Sequence, residues 1–411
     1  MSFFHEQIWR RLPRGARRSL LMRASAIAAP RPGNNAPALP IIVAGALRTA
    51  SGLGESARLC LDALRAQNIP AQGLDISRGL MQSVDLPDQG YAAAESLDGP
   101  GTIILHVNAP LVPLAMWRIG SRAVRDKHIV GYWAWELPEV AADWREGVPF
   151  VHEIWVPSSF TARAIEPIAG LRPVRIVPHP VAVRIPQAAA KREARGQAGH
   201  RFTVLTIFNM GSSLVRKNPF AAIAAFREAF GDDPSAKLIV KASNMSLYPE
   251  GAEAIRQSAR GANIELIERT MGVDDLHELY RQSDALVSMH RSEGFGLTIA
   301  EAMAFGLPAV ATDWSGNEDF LSSDTGIPVP FRLVPASDPQ ATYEHSEMNW
   351  ADPDVASAAA ALRRLRSEQG LAARLGVNAA QFVADYFGAK RYAGHVEAML
   401  RRSREDSTIR V

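Results

Sequence analysis

Short apolar runs alternate with helical stretches from Pro40 onward, and the alternation occurs in two series. In the first, PIIVAGAL (40–47), GTIILHV (101–107), HIVGYW (128–133), EIWVPS (153–158) and VRIVPH (174–179) read as strands. Runs this apolar suit parallel strands covered by helices on both faces. SGLGESARLCLDALRAQ, after the first strand, reads as a glycine turn and a helix closed by Asn68 and Pro70. The polar stretch PQAAAKREARGQAGH (186–200) breaks the pattern and reads as a linker. A second series follows: RFTVLTIFN (201–209), AKLIVKAS (236–243), NIELIER (263–269), DALVSM (284–289) and LPAVAT (307–312). The tail from about 352 to 402 reads as one or two helices.

Two strand–helix series on either side of a linker predict an α/β chain of two facing, Rossmann-like doubly wound domains. Ligands of such sheets bind outside the carboxyl ends of the strands, so a site is expected in a deep cleft between the domains. The division expected is a basic arm over 1–37, a first domain over 38–195, a second over 196–385, and a C-terminal helix and tail over 386–411.

The length of 411 residues agrees with two cores rather than one. With 47% hydrophobic and 21% charged residues the composition is that of an ordinary soluble protein, and the net charge of +2 gives no case for a nucleic-acid partner. Cys60 is the only cysteine, so neither an internal disulfide nor a thiolate metal site can form; it reads as a small core residue of a reduced, cytoplasmic protein. No apolar run is long enough to span a bilayer. The arm departs from this average. Arg10, Arg11, Arg14, Arg17, Arg18, Arg23 and Arg31 interleave with Phe3, Phe4, Ile8, Trp9, Leu12, Leu20 and Leu21. Arg23 interrupts the one candidate signal core. The segment reads either as a basic amphipathic element on an anionic inner-membrane surface, or as a solvated arm or a helix packed on the body.

The richest stretch is HRSEGFGLTIAEAMAFGLPAVAT (290–312), an apolar segment holding Glu293 and Glu301 around a Gly-Phe-Gly bend. A carboxylate buried without a partner costs several kcal/mol, so two of them here point to a ligand. The segment fits strand, turn and helix. Gly294 and Gly296 let backbone approach a ligand, and first-turn amides suit an anion. In FNMGSSLVRKNPF, Asn218 and Pro219 mark an N-cap and N1, with Arg216 and Lys217 just before them, where a cation suits a diphosphate. RTASGLGESA carries Gly52 and Gly54 after the first strand, which serves a ligand loop or a tight turn equally well. ILHVNAP sets His106 and Asn108 at another strand end. GYWAWELPEVAADW clusters Trp133, Trp135 and Trp144 with Glu136, either as a carbohydrate-stacking face or as an aromatic core patch. No D-x-D pattern stands where it could hold a metal–diphosphate pair.

The pattern E-G-F-G-L-T-x-x-E-A-M-A-x-G-x-P, with its E-x7-E from Glu293 to Glu301, resembles the signature of the family-4 retaining glycosyltransferases, also called group-1 transferases, which have the GT-B fold. The RKNP form is similar to a bacterial exopolysaccharide-type branch. The resemblance implies that Glu293 contacts the transferred sugar. The backbone of Gly294, Phe295, Gly296 and Leu297 would hold sugar and phosphate oxygens, and Glu301 the ribose. Lys217 matches the lysine of the family's Arg-x4-Lys, but the arginine position falls on Ser212, leaving Arg216 to substitute from beside it. A histidine beside the sugar is implied at His106 or, where the family pattern H-x-H has become H-x-N, at Asn108. Gly52 and Gly54 would lie against the donor diphosphate, and Asn108, Trp133, Trp135 and Glu136 against the acceptor. The loop around Arg269 to Met271 would lie near the base.

The resulting expectation is a metal-independent, cofactor-free hexosyltransferase. Its donor would be a GDP- or UDP-linked sugar, and its acceptor a saccharide, lipid-linked in surface polysaccharide synthesis. It would sit in the cytoplasm or on the inner face of the membrane. The alternatives are a sugar-nucleotide epimerase and a non-catalytic sugar-nucleotide-binding subunit of a polysaccharide assembly complex.

Overall fold

The computed structural model describes residue 22 and residues 24–181, 200–261, 263–343 and 345–408. The expected linker and most of the basic arm lie outside the described residues. The end of the arm is tied down: Asn35 donates to the carbonyls of Arg125 and Lys127, and His152 Nε2 bonds to Gly33 O at 2.7 Å.

The first sheet holds β1 (Ile41–Gly45), β2 (Ala71–Asp75), β3 (Gly101–His106), β4 (Lys127–Tyr132), β5 (Glu153–Val156) and β6 (Val174–Ile176), in the spatial order 2-1-3-4-5-6 and parallel throughout. Its longer helices are α1 (Gly52–Ala66), α2 (Val112–Ile119) and α3 (Ser159–Ala169). The second sheet runs 12-11-10-7-8-9, also parallel. In chain order it comprises β7 (Phe202–Asn209), α4 (Pro219–Phe230), β8 (Ala236–Ser243), α5 (Pro249–Ser258), β9 (Ile264–Ile267), α6 (Val273–Gln282), β10 (Ala285–Ser288), α7 (Leu297–Ala304), β11 (Ala309–Thr312) and β12 (Gly326–Val329). Two doubly wound α/β units thus form as the periodicity predicts. Strands β1, β3, β4, β5 and β11 are buried along their whole length, which is why they are continuous apolar runs rather than alternating ones.

Two parts differ from the expectation. An antiparallel hairpin, β13 (Phe331–Ala336) and β14 (His345–Pro353), leaves the second unit and packs onto the first, where Ala336, Tyr343 and Trp350 join the core beside Trp135 and Trp144. The tail forms three helices, α8 (Val355–Ser367), α9 (Leu371–Tyr386) and α10 (Ala389–Thr408). The last returns to the first unit: Tyr392, Val396 and Met399 pack with Ile41, Val43, Cys60 and Leu64. Among the described residues no helix is long and apolar enough to cross a membrane.

Gly376 of α9 lies against the chain just after α7, and a Cβ on it would fall on the Gly306 carbonyl. Backbone cannot yield as a side-chain tip can. Gly376→Ala is therefore expected to destabilise the protein by about 1–3 kcal/mol, read as a lower denaturant midpoint. Gly394→Ala on α10, where a Cβ meets nothing within 4 Å, should leave the midpoint unchanged or raise it.

Candidate active site

The strand order of the second sheet reverses between β7 and β10, and the segments leaving these two strands meet at that switch point. After β7 the chain turns through Ser213 at φ 65°, makes one helical turn (Leu214–Lys217), and reverses at Asn218 in the left-handed region before Pro219 opens α4. Asn218 makes no side-chain cap bond, so its part is the reversal rather than the capping the sequence suggests. The turn delivers Arg216 and Lys217 to Glu293, which follows β10. Lys217 Nζ stands 2.5 Å from Glu293 Oε1, and Arg216 Nη1 stands 3.2 Å from Oε2. Backbone fixes the carboxylate's base: Glu293 N donates to Ser315 Oγ at 2.8 Å, and its carbonyl accepts from Gly316 N at 2.9 Å.

Burial alone would raise the Glu293 pKa, but Lys217 and Arg216 outweigh it and hold it at about 2. Burial pulls the Lys217 pKa down, against the pull of Glu293. Arg216 is 2% exposed. Its Nε donates to Ser212 O at 3.1 Å and its Nη1 to Ser292 O at 2.7 Å, while Nη2 lies 3.8 Å from Glu136 Oε1 of the first unit. The expectation that Arg216 offers a spare cation to a diphosphate is corrected here, because protein oxygens occupy the guanidinium. Glu136 does reach the site. Burial raises its pKa, and Arg216 opposes the rise.

The Gly-Phe-Gly bend serves several purposes. The Gly294 carbonyl accepts from Ser158 Oγ (2.6 Å) and Thr161 Oγ1 (3.2 Å) at the amino end of α3, and a Cβ on Gly294 would sit 3.1 Å from Trp135 O. It is a joint between the two units as well as a ligand-side turn. Gly296 has φ +96°, so a side chain there would be strained. Phe295 is buried among Phe320, Phe387 and His179, so only its backbone is left for a ligand. Leu297 opens α7; Ile299 N donates to Gly296 O, which leaves the amides of Leu297 and Thr298 as the first-turn donors without a carbonyl partner among the described residues.

Glu301, one turn into α7, accepts from Tyr280 OH at 2.7 Å and is partly buried. Burial, and then the charge of Glu55 on α1 of the opposite unit, raise its pKa to about 8. The influence of Glu55 places this carboxyl on the crevice side. The unit facing it begins α1 with Gly52, where a Cβ would meet nothing within 4 Å, and Gly54, where one would sit 2.6 Å from the carbonyls of Ala46 and Thr49. The tight-turn reading therefore accounts for Gly54 and not for Gly52. Asn209 Nδ2 at the end of β7 donates to Ala50 O in this same loop, closing the seam.

His106 ends β3 and is buried. Its Nδ1 shares Ser56 Oγ with His179 Nδ1, its ring stacks on Tyr132, and its Nε2 has no hydrogen-bond partner among the described residues. Burial holds its pKa well below the usual histidine value, so it is neutral. The acceptor-side expectations fare differently. Asn108 Oδ1 accepts from Ala134 N and braces the segment after β4. Trp133 is buried edge-on to Trp144, and Trp135 packs on Trp144 and Tyr343 with Nε1 on Glu139 O. These two indoles are the aromatic core patch, and neither presents a face for a sugar ring. Among the described residues no group of three His, Cys, Asp or Glu side chains could hold a metal.

The sequence does not single out Tyr280 or Tyr343, which hold Glu301 and the Arg216–Glu136 pair. Ser158 carried the one readable signal, a serine directly after a strand and before a helix.

Residues 205–348 match the family described as Glycosyl transferases group 1. That stretch is similar to a group 1 glycosyltransferase domain. A D-inositol 3-phosphate glycosyltransferase of Segniliparus rotundus is 28% identical over 145 residues, which are 35% of this chain and 32% of that protein. The match thus spans about a third of the relative's length. Solved structures share the fold at low identity. Sucrose-phosphate synthase of Thermosynechococcus elongatus has a TM-score of 0.61 at 15% identity over 89% of this chain and 99% of its own. Anabaena Alr3699/HepE in complex with UDP and glucose has 0.59 at 13% identity over 89% and 100%. The two units are a GT-B pair.

The raised pKa of Glu301 has a consequence for stability. The folded chain retains a proton that the unfolded chain releases from about 4.5 upward, so this stabilisation is full at low pH and is lost as pH rises to about 8. Glu301→Gln mimics the protonated group. Without ligand it should melt a few degrees higher than the unmodified protein at pH 9 and at the same temperature at pH 4, by scanning calorimetry.

Proposed function

We propose that this protein is a retaining, metal-independent glycosyltransferase that moves a hexosyl group from a UDP- or GDP-linked sugar to a saccharide acceptor. The observation that carries the reading is the Lys217–Glu293 contact at the switch point, beside the amino end of α7 and one turn from Glu301. On this reading the diphosphate lies over the first-turn amides of α7 with Lys217 at its side. Both counter the charge that grows as the glycosidic bond breaks. Glu293, held ionised, accepts from hydroxyls of the transferred sugar and orients it. His106, neutral and with a buried, unpartnered Nε2 at the opposite strand end, meets the same sugar once that atom is uncovered. The acceptor oxygen bonds to the anomeric carbon on the face that the diphosphate leaves and gives its proton to a leaving phosphate oxygen, so configuration is retained without a second base. The UDP and glucose named for the Anabaena neighbour are in keeping with this donor class.

Ribose hydroxyls donate well only to an ionised carboxylate, so donor binding must lower the Glu301 pKa. A melting-shift panel of UDP- and GDP-sugars, with EDTA present, should therefore find a donor whose effect grows from pH 6 to pH 8 and falls sharply in Glu301→Ala. Absence of any shift across the panel would remove the donor assignment. Product formation with acceptor, but no interconversion of free donor, separates transfer from epimerisation.

The basic arm suits an acceptor that is lipid-linked, in surface polysaccharide synthesis at the inner membrane face. Removing residues 1–37 should weaken sedimentation with anionic vesicles while leaving neutral vesicles unaffected; equal sedimentation of the two proteins would end the membrane part of the reading.

A further inference from the structure

Lys241, in the second unit, is a largely buried lysine with no ion-pair or hydrogen-bond partner among the described residues. It lies on β8 and is 6% exposed. Side chains of a strand alternate, and Leu238, Val240 and Ala242 face the cluster that contains Phe226 and Ile255 of α4 and α5. Ile239, on the other face, joins the cluster of Tyr280, Phe295 and Ile299. Lys241 shares that second face, the one covered by α7. Its neighbours across the sheet are Ile207 on β7 and Ile267 on β9, which pack on the same cluster together with Leu297 and Met271. It stands two residues before Ser243, the end of β8, whose partner is the seam residue Asn209. Burial shifts its pKa downward.

The stem packs among apolar side chains while the ammonium keeps an opening to solvent, where no protein group accepts from it. The position suggests what does. If the diphosphate is held at Lys217 and the ribose at Glu301, the base continues along the crevice toward the ends of β8 and β9. The segment that follows β9 contains Met271, which shares the Lys241 face. We propose that Lys241 is a specificity residue that donates a hydrogen bond to a ring carbonyl oxygen of the nucleotide base, and so selects uracil or guanine over adenine. This rests on the donor reading above and extends it to the base, for which the sequence alone gives no choice.

The test is calorimetric titration of the full chain with UDP, GDP and ADP. The unmodified protein should bind UDP or GDP at least about 10-fold more tightly than ADP. A lost charge-assisted hydrogen bond corresponds to about 10–100-fold. Lys241→Met should lose that factor for the preferred nucleotide, keep its ADP affinity within about twofold, and melt no lower than the unmodified protein in the absence of ligand. Lys241→Gln, which keeps a donor without charge, should retain part of the preference. If Lys241→Met discriminates as the unmodified protein does, or weakens all three nucleotides equally, the base assignment is overturned. If the unmodified protein binds none of the three, the donor reading itself fails, which is a different result from a variant that binds all three unchanged.

Discussion

A guanidinium closed off from water between carboxylates of two different units is the interaction on which the rest of the site depends. Arg216 reaches Glu293 on its own side and Glu136 on the other, and the Tyr343 ring lies 5.1 Å from its guanidinium carbon. Desolvating three charges is expensive, and the arrangement is tolerable only because Arg216 is simultaneously hydrogen-bonded to the carbonyls of Ser212 and Ser292. Removing Arg216 would leave Glu136 buried without its cation and Glu293 with Lys217 alone, so the guanidinium is the member the others depend on. The group is near neutrality, two cations against two carboxylates, before any donor arrives. A diphosphate therefore does not meet a strongly positive pocket. It must rely on Lys217 being drawn from Glu293 and on the amides of α7.

The hairpin β13–β14 explains how this group is kept in register. Asp338, in its connection, accepts from Ser213 Oγ and from the amides of Gln340, Thr342 and Tyr343, while Gln340 binds Leu214 N and Met210 O. The loop that delivers Arg216 and Lys217 is thus tied to a segment that is itself anchored in the first unit through Trp350 and Tyr343. With Gly294 O held by Ser158 and Thr161, and Asn209 held by Ala50 O, the two units meet through backbone as well as side chains. The relation between the groups that the two units bring to the crevice is consequently set by fixed bonds rather than by surface charge.

Much of this was legible from periodicity. Parallel strands buried on both faces write themselves as apolar runs, so ten of the twelve sheet strands could be placed directly. β2 (AQGLD) and β12 (GIPV) were not, because edge strands need less apolar sequence and both contain glycine or proline. The hairpin escaped for a related reason: FRLVPA is mostly exposed, and Ala336 and Trp350 are buried against another unit, a contact that no local period encodes. The Glu293–Glu301 segment was readable because carboxylates in an apolar run require partners. What could not be read was which partners. Arg216 and Lys217 are adjacent in sequence and equally basic, yet one faces inward to protein oxygens and the other stays at the mouth. Only the turn through Ser213 and Asn218 decides between them. The indoles were ambiguous in the same way, since burial depends on the hairpin that covers them.

The two glutamates of the E-x7-E pattern show why residue type and spacing do not by themselves define chemistry. Both are partly withdrawn from water, and burial pushes both toward the neutral form. Glu293 has two cations within reach and is held at about 2; Glu301 has only a tyrosine hydroxyl and faces Glu55 across the crevice, and rises to about 8. The first carboxylate is therefore ionised before any ligand binds, and Lys217 and Arg216 take two of its roughly four acceptor positions. The second reaches full acceptor strength only when a ligand supplies donors or when the pH is raised. On the proposed reading, opposite electrostatic environments eight positions apart in the chain give the sugar end a charged anchor and the nucleotide end a conditional one, which couples occupancy of the second position to proton release.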